Sequence, residues 1–94
     1  MVEAIKLLYF QSPACGVCHA LRPKLEEFLK ESYPDLSLAV VDIAKNKETA
    51  AQHLVFTTPV LIIQVDGREY ERFVRAFSIG EVNAKLTRIV RAFS

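Results

Sequence analysis

The spacing of apolar residues switches several times between unbroken runs and helical stripes. Residues 4–10 form a short, nearly continuous apolar run that ends in Tyr9-Phe10. That pattern predicts a strand buried on both faces. Pro13 marks a loop after it, because proline lacks an N–H and biases Ser12 toward extended geometry. From Gly16 the period lengthens: Leu21, Leu25, Phe28 and Leu29 recur at helical spacing, with Lys24, Glu26, Glu27 and Lys30 on the other sides. The stripe predicts a helix that stops near residues 31–33, before Pro34. Pro23 falls inside it and predicts a kink, since its ring clashes with the carbonyl of His19 and removes one ladder bond.

Residues 36–43 read as a second strand, rich in β-branched residues toward their end. Residues 45–54 predict a short helix with Ala50, Ala51 and Leu54 inward and Asn46 as its cap. Residues 60–65 (Val-Leu-Ile-Ile-Gln-Val) are the most strand-like run in the chain, and Asp66-Gly67 after them is the favoured type I′ hairpin pair. Residues 68–75 return as an antiparallel strand whose charges suit an edge. Ser78 and Glu81 have the capping-box spacing. The last helix then puts Val82, Leu86, Ile89, Val90 and Phe93 on one face, with Lys85, Arg88 and Arg91 elsewhere, suiting the helix dipole. The order is β-α-β-α-β-β-α. Right-handed crossovers make the first two strands parallel, and the hairpin adds an antiparallel pair. The expected fold class is therefore α/β, a four-stranded mixed sheet flanked by helices.

Length and composition narrow the function. Ninety-four residues, half of them apolar (51%), make one domain spanning 1–94 with an ordinary globular core. The net charge is +1, with Lys and Arg scattered among Glu and Asp. This excludes the basic face of a nucleic-acid binder. No stretch approaches membrane-spanning length, and no export signal precedes the half-polar opening at Met1, Val2 and Glu3, so the expected location is cytoplasmic, without a membrane partner. In that compartment a disulfide is more often transient and catalytic than structural.

Both cysteines lie in one motif, Cys15-Gly16-Val17-Cys18-His19. So small a loop constrains the unfolded chain little, which makes stability a poor explanation for the pair. Cys15 falls where a strand has ended and a helix begins. At an N-cap or first helical position, unsatisfied N–H groups and a dipole worth ~0.3–1 kcal/mol favour its thiolate. Mid-helix, Cβ atoms three residues apart stand ~5–6 Å from one another, too far for the ~3.8 Å of a disulfide. The pair therefore closes only if Cys15 sits in an irregular first turn, which Gly16 eases. The chemistry this suggests is attack by Cys15 on a substrate disulfide and resolution by Cys18, with no cofactor. Other readings remain beside it. The pair can pack as two buried thiols. Cys-x-x-Cys-His also matches a haem-attachment pattern. Zinc or copper could use Cys15, Cys18, His19 and His53, though no second cysteine pair completes a closed set. An iron–sulfur cluster could be shared between two subunits.

With these residues together, the sequence resembles the thioredoxin family over nearly its whole length. The resemblance rests on Cys15-Gly16-Val17-Cys18 opening the first helix, Pro23 five residues later, Thr58-Pro59 before the third strand, and the Asp66-Gly67 hairpin. The chain looks like a shortened version, without the extra N-terminal strand and helix. The resemblance implies a thioredoxin-like fold and thiol–disulfide oxidoreductase activity on protein or small-molecule disulfides. It implies that Pro59 is cis beside the cysteines and that the backbone of Thr58 binds an extended stretch of substrate. Gly16 and Val17 would tune the redox potential, and a cationic His19 would favour a neighbouring thiolate. The implied partners are disulfide-containing proteins and a dithiol or flavin-reductase electron donor. Four positions depart from the family pattern: Ala14 for Trp, Val17 for Pro, Tyr9 for a buried Asp, and Arg75 for a Gly beside the substrate groove. The competing class is a module that does not turn over, a thioredoxin-fold adaptor or a Cys/His metal carrier. Tyr9, Phe73, Phe77 and Phe93 read as packing, and Arg68, Arg72 and Arg75 as a solvated edge.

Overall fold

A computed structural model describes residues 4–93; Met1, Val2 and Glu3, read above for an export signal, lie outside the described residues, as does Ser94. The elements are β1 (Ile5–Gln11), α1 (Gly16–Ser32), β2 (Ser37–Asp42), α2 (Lys47–Gln52), β3 (Val60–Val65), β4 (Arg68–Val74) and α3 (Ile79–Phe93). They form a four-stranded sheet in the order β2-β1-β3-β4, the thioredoxin-like architecture the sequence implies. β1 pairs parallel with β2 and antiparallel with β3, and β4 pairs antiparallel with β3. The two strands with unbroken apolar runs, β1 and β3, are the two central ones. Their side chains alternate between two cores. Leu7, Tyr9, Leu61 and Ile63 face α1 and α3 and pack with Leu25, Leu29, Val82 and Leu86. Leu8, Phe10, Val60 and Ile62 face the other way and pack with Ala50 and Val55.

Local signals act as read. Asp66 (φ 50°) and Gly67 (φ 80°) take the left-handed conformations of a type I′ turn. α1 continues through Pro23 to Ser32, and Tyr33 caps it by donating its N–H to the Leu29 carbonyl at 2.8 Å. The Glu81 N–H donates to Ser78 Oγ at 3.1 Å, the forward half of a capping box. Its other half differs, because the Glu81 carboxylate accepts from the Ser78 hydroxyl instead of reaching back to a backbone N–H.

Two expectations around α2 are corrected. Asn46 is the N-cap residue, but its side chain makes no cap bond and donates instead to the Asp42 carbonyl. Leu54 is 69% exposed, and Ala51 is exposed as well. The helix stops at Gln52, and Leu54 takes the left-handed conformation (φ 55°). Leu54 then donates to the Ala51 carbonyl (3.0 Å) and Val55 to that of Ala50 (2.8 Å), the bond pattern of a Schellman motif. That turn throws Leu54 outward and brings Val55 into the core in its place.

Arg72 also departs from the solvated-edge reading. Its guanidinium donates to both carboxylate oxygens of Glu69, at 2.9 and 2.7 Å, and to the carbonyls of His53 and Leu54. β4 is thereby tied to the segment leading into β3. The hydrogen bond from Arg72 holds the Glu69 carboxyl below the usual carboxylate range, against the opposing effect of burial. A lowered folded-state pKa means stability that is present above the unfolded value, ~4.3, and lost as pH falls through the folded value. Because the Glu69 side chain is 39% exposed, the contribution is small, under about 1 kcal/mol. In urea denaturation we expect Glu69→Gln to be less stable than wild type at neutral pH, with the gap closing as pH falls through the lowered folded-state value. Equal stability at neutral pH would mean that the ion pair contributes nothing.

Candidate functional site

Strand register brings three loops to one end of the sheet. Phe10 pairs with Val60, and Val60 pairs with Val74. The chain leaving β1, the chain entering β3 and the chain leaving β4 therefore meet at the same edge. Residues 12–15, 57–59 and Arg75 belong to these segments. They are far apart in sequence and adjacent because neighbouring strands run in opposite directions.

Cys15 is the N-cap of α1, with extended backbone geometry (φ −91°, ψ 96°). Its carbonyl accepts the first helical bond, from His19 at 3.3 Å, and its own N–H donates to Ser12 at 3.1 Å. The sulfur takes the place of the usual cap oxygen: the Cys18 N–H donates to Cys15 Sγ at 3.1 Å. Cys15 and Cys18 are bonded, with S–S 2.08 Å and Cα–Cα 5.2 Å. The irregular first turn that the spacing demanded is thus present. The two sulfurs are unequal, since Cys15 is half-buried at the surface and Cys18 is completely buried.

Beneath the pair, Tyr9 fills the core from β1 and donates its hydroxyl to the Cys18 carbonyl at 2.9 Å. Burial pushes its phenol pKa up, and the nearby Arg22 charge only partly offsets this. Tyr9 is therefore a neutral donor under the helix start. The sequence marked Tyr9 as core, and nothing in its spacing signalled this bond.

The Thr58–Pro59 peptide is cis. Pro59 is buried, and its carbonyl accepts the Arg75 N–H at 2.8 Å. Thr58 is half-buried, with Oγ1 3.2 Å from Ser12 Oγ, a link between two loops that sequence gave no reason to expect. Cys15, Gly16 and Val17 form one wall of an open groove, and Thr58, Pro59 and Arg75 another. Val17 is 60% exposed there, an apolar patch beside the reactive sulfur. Arg75 holds a left-handed backbone (φ 63°), which costs a non-glycine residue ~1–2 kcal/mol. Its Nε donates to Thr57 Oγ1 at 3.2 Å.

His19 points elsewhere. It is exposed, and its Nε2 lies 3.2 Å from the Pro13 carbonyl, to which it donates. His53 packs against Phe10, at 5.7 Å between ring centroids, on the α2 face of the sheet. The four donors considered for a metal are therefore not assembled. Among the described residues no three His, Cys, Asp or Glu side chains are grouped to hold an ion. No helix among the described residues is long and apolar enough to cross a membrane.

The chain is similar to known proteins. Residues 2–88 match the thioredoxin family model. The thioredoxin-like protein YdfQ of Bacillus subtilis is 34% identical over 86 residues, covering 92% of this chain and 76% of that protein. A thioredoxin of the same organism is 35% identical over 72 residues, covering 77% of this chain and 69% of that one. Among solved structures, thioredoxin 1 of Thermosipho africanus superposes with a TM-score of 0.84 at 38% identity, over 93% of this chain and 96% of that one. These likenesses, with the bonded cysteine pair, support thiol–disulfide exchange as the general kind of chemistry. By sequence and by fold, the chain belongs to the thioredoxin family.

Proposed function

We propose that this chain is a thiol–disulfide oxidoreductase acting on disulfide-containing proteins, with Cys15 as nucleophile and Cys18 as resolving thiol. The observation that carries the assignment is the unequal exposure of the two sulfurs. Only Cys15 borders the groove, and Cys18 is sealed beneath it. A bulky disulfide can therefore meet Cys15 alone.

In the reductive direction the Cys15 thiolate attacks one sulfur of a substrate disulfide. A mixed disulfide forms and the other substrate sulfur leaves as a thiolate. The Cys18 thiolate then attacks Cys15 Sγ, releasing the second substrate thiolate and closing Cys15–Cys18. The substrate gains two electrons and two protons, and the protein's dithiol loses them. Before attack, the Cys18 N–H and the positive end of α1 stabilise the Cys15 anion. The segment at Thr58-Pro59 borders the same groove and would align a substrate backbone beside the sulfur. Gly16 leaves open space over the turn, and Val17 offers an apolar contact. His19, held on the Pro13 carbonyl, would act on the thiolate only through its charge. We further propose that the chain works in the cytoplasm as one unit across residues 1–94. Its oxidised form would be reduced by a dithiol protein or a flavin reductase. The scattered donors speak against a metal carrier.

Three variants test this reading. Cys15→Ser should reduce insulin-disulfide reduction to the background rate of dithiothreitol alone. Unchanged turnover in that variant would overturn the role of Cys15, and a wild type no faster than the background would leave an adaptor as the better description. Cys18→Ser should still attack but fail to resolve, so the substrate mixed disulfide accumulates and is visible as a mass adduct on Cys15. Tyr9→Phe deletes one buried hydrogen bond and should cost the oxidised protein about 0.5–1.5 kcal/mol in urea denaturation. Burial of the phenol raises its pKa, so the stability that depends on a neutral Tyr9 is fully present below the unfolded value, ~10, and is lost as pH rises through the folded one. A Tyr9→Phe protein as stable as wild type at pH 7 would show that the bond to Cys18 is dispensable.

A further inference from the structure

We propose that Arg75 is a specificity-determining residue that selects protein disulfides carrying a carboxylate side chain next to the attacked cysteine. The proposal rests on the exchange reading above and adds a substrate class to it. Arg75 is the only charged residue among the described residues that line the groove beside Cys15. It is exposed and forms no ion pair among the described residues. Arg72, inside β4 just before it, differs in being held by Glu69 and two carbonyls. Two features orient Arg75. Its N–H is bonded to the Pro59 carbonyl, and its Nε to Thr57 Oγ1. These bonds fix the start and the bend of the side chain against the segment that would align a substrate. The two terminal nitrogens of the guanidinium take no hydrogen bond or ion pair among the described residues, and such a pair matches a carboxylate in bidentate geometry.

The backbone points the same way. A left-handed φ of 63° suits glycine, and the backbone bond to Pro59 does not require an arginine to bear that cost. The amide bond is available to any residue there, and the Thr57 contact, made by the guanidinium Nε, is exposed and leaves the charge without a counter-ion. What only Arg75 supplies is an unpaired positive charge at the mouth of the groove. No carboxylate among the lining residues offsets it. A disulfide with Asp or Glu adjacent to its cysteine would meet attraction, and one with Lys would meet repulsion.

The probes are blocked peptide disulfides identical except for Asp, Ala or Lys beside the cysteine, reduced by the wild-type dithiol form. Each rate is divided by the rate of the same peptide with dithiothreitol, which removes intrinsic reactivity. At low ionic strength we expect the Asp peptide to exceed the Lys peptide by roughly tenfold, a factor of about 3 each from attraction and repulsion at an exposed site. The ratio should collapse toward one in 1 M salt, where the screening length is about 3 Å. Arg75→Gly, whose backbone fits the left-handed turn, should abolish the ratio. Arg75→Lys should retain part of it, and Arg75→Glu should invert it. A purely structural role for Arg75 would change all three peptides equally and leave the ratio intact, which would overturn the proposal. So would a wild-type ratio near one, or an Arg75-dependent rate that favours glutathione disulfide over the Asp peptide. If the wild type reduces none of the peptides faster than dithiothreitol does, the exchange reading itself fails. If it reduces the Ala peptide without charge preference, only the role of Arg75 does.

Discussion

One backbone amide, that of Cys18, determines how the two cysteines differ. It is the N3 donor of α1, one of the groups a helix start leaves without a partner, and it donates to the Cys15 sulfur at 3.1 Å. A sulfur therefore serves as the helix cap. Cys15 takes the extended geometry of a cap residue, and the two residues stand 5.2 Å apart between Cα atoms, within the range a disulfide spans. The same geometry turns Cys15 toward the surface while Cys18, one turn along, stays in the core. The donor that caps the helix is also the one that would stabilise a Cys15 thiolate. Local structure and reactivity thus share a single interaction.

The rest of the fold holds that cap in place. β1 and β3, buried on both faces, are the rigid central pair, and their antiparallel register delivers residues 12–15 and 57–59 to one end of the sheet. The second loop is anchored twice. Arg72 grips the carbonyls of His53 and Leu54, and the Schellman turn at Leu54 sends Val55 into the core just before the loop begins. Sites made of loops gain precision when both ends of each loop are tied to packed elements. Ser12 and Thr58 then link the two loops directly.

Tyr9 shows how this chain departs from the family pattern it otherwise follows. Where a buried carboxylate would be a potential base, the phenol is a neutral donor whose ionisation is suppressed by burial. It spends its hydrogen on the Cys18 carbonyl and so secures the helix start from below. Beside the groove, Arg75 replaces a residue without a side chain by a cation. One change removes charge from beneath the cysteines, and the other adds it beside them.

Much of this was legible in the sequence because it depends on short-range physics. Apolar periodicity gave the element order, Asp66-Gly67 the hairpin, Pro34 the end of α1, and the strand-to-helix position of Cys15 its unusual turn. Crossover handedness and the hairpin gave the mixed four-stranded sheet, and the thioredoxin-like resemblance gave the expectation of Thr58-Pro59 beside the cysteines. Sequence spacing failed at Leu54, where the expected helix ran two residues past its observed end at Gln52, because a left-handed residue carries no pattern of its own outside glycine. It also missed the roles of Ser12, Arg72 and Tyr9. Their partners lie 46, 19 and 9 residues away, and a hydrogen bond between distant residues leaves no periodic trace. The chain alone determined which segments become strands and helices and which thiol begins the helix. Only the tertiary structure decided which side chains face one another across that beginning, because strand register, not sequence distance, sets what meets at the end of the sheet.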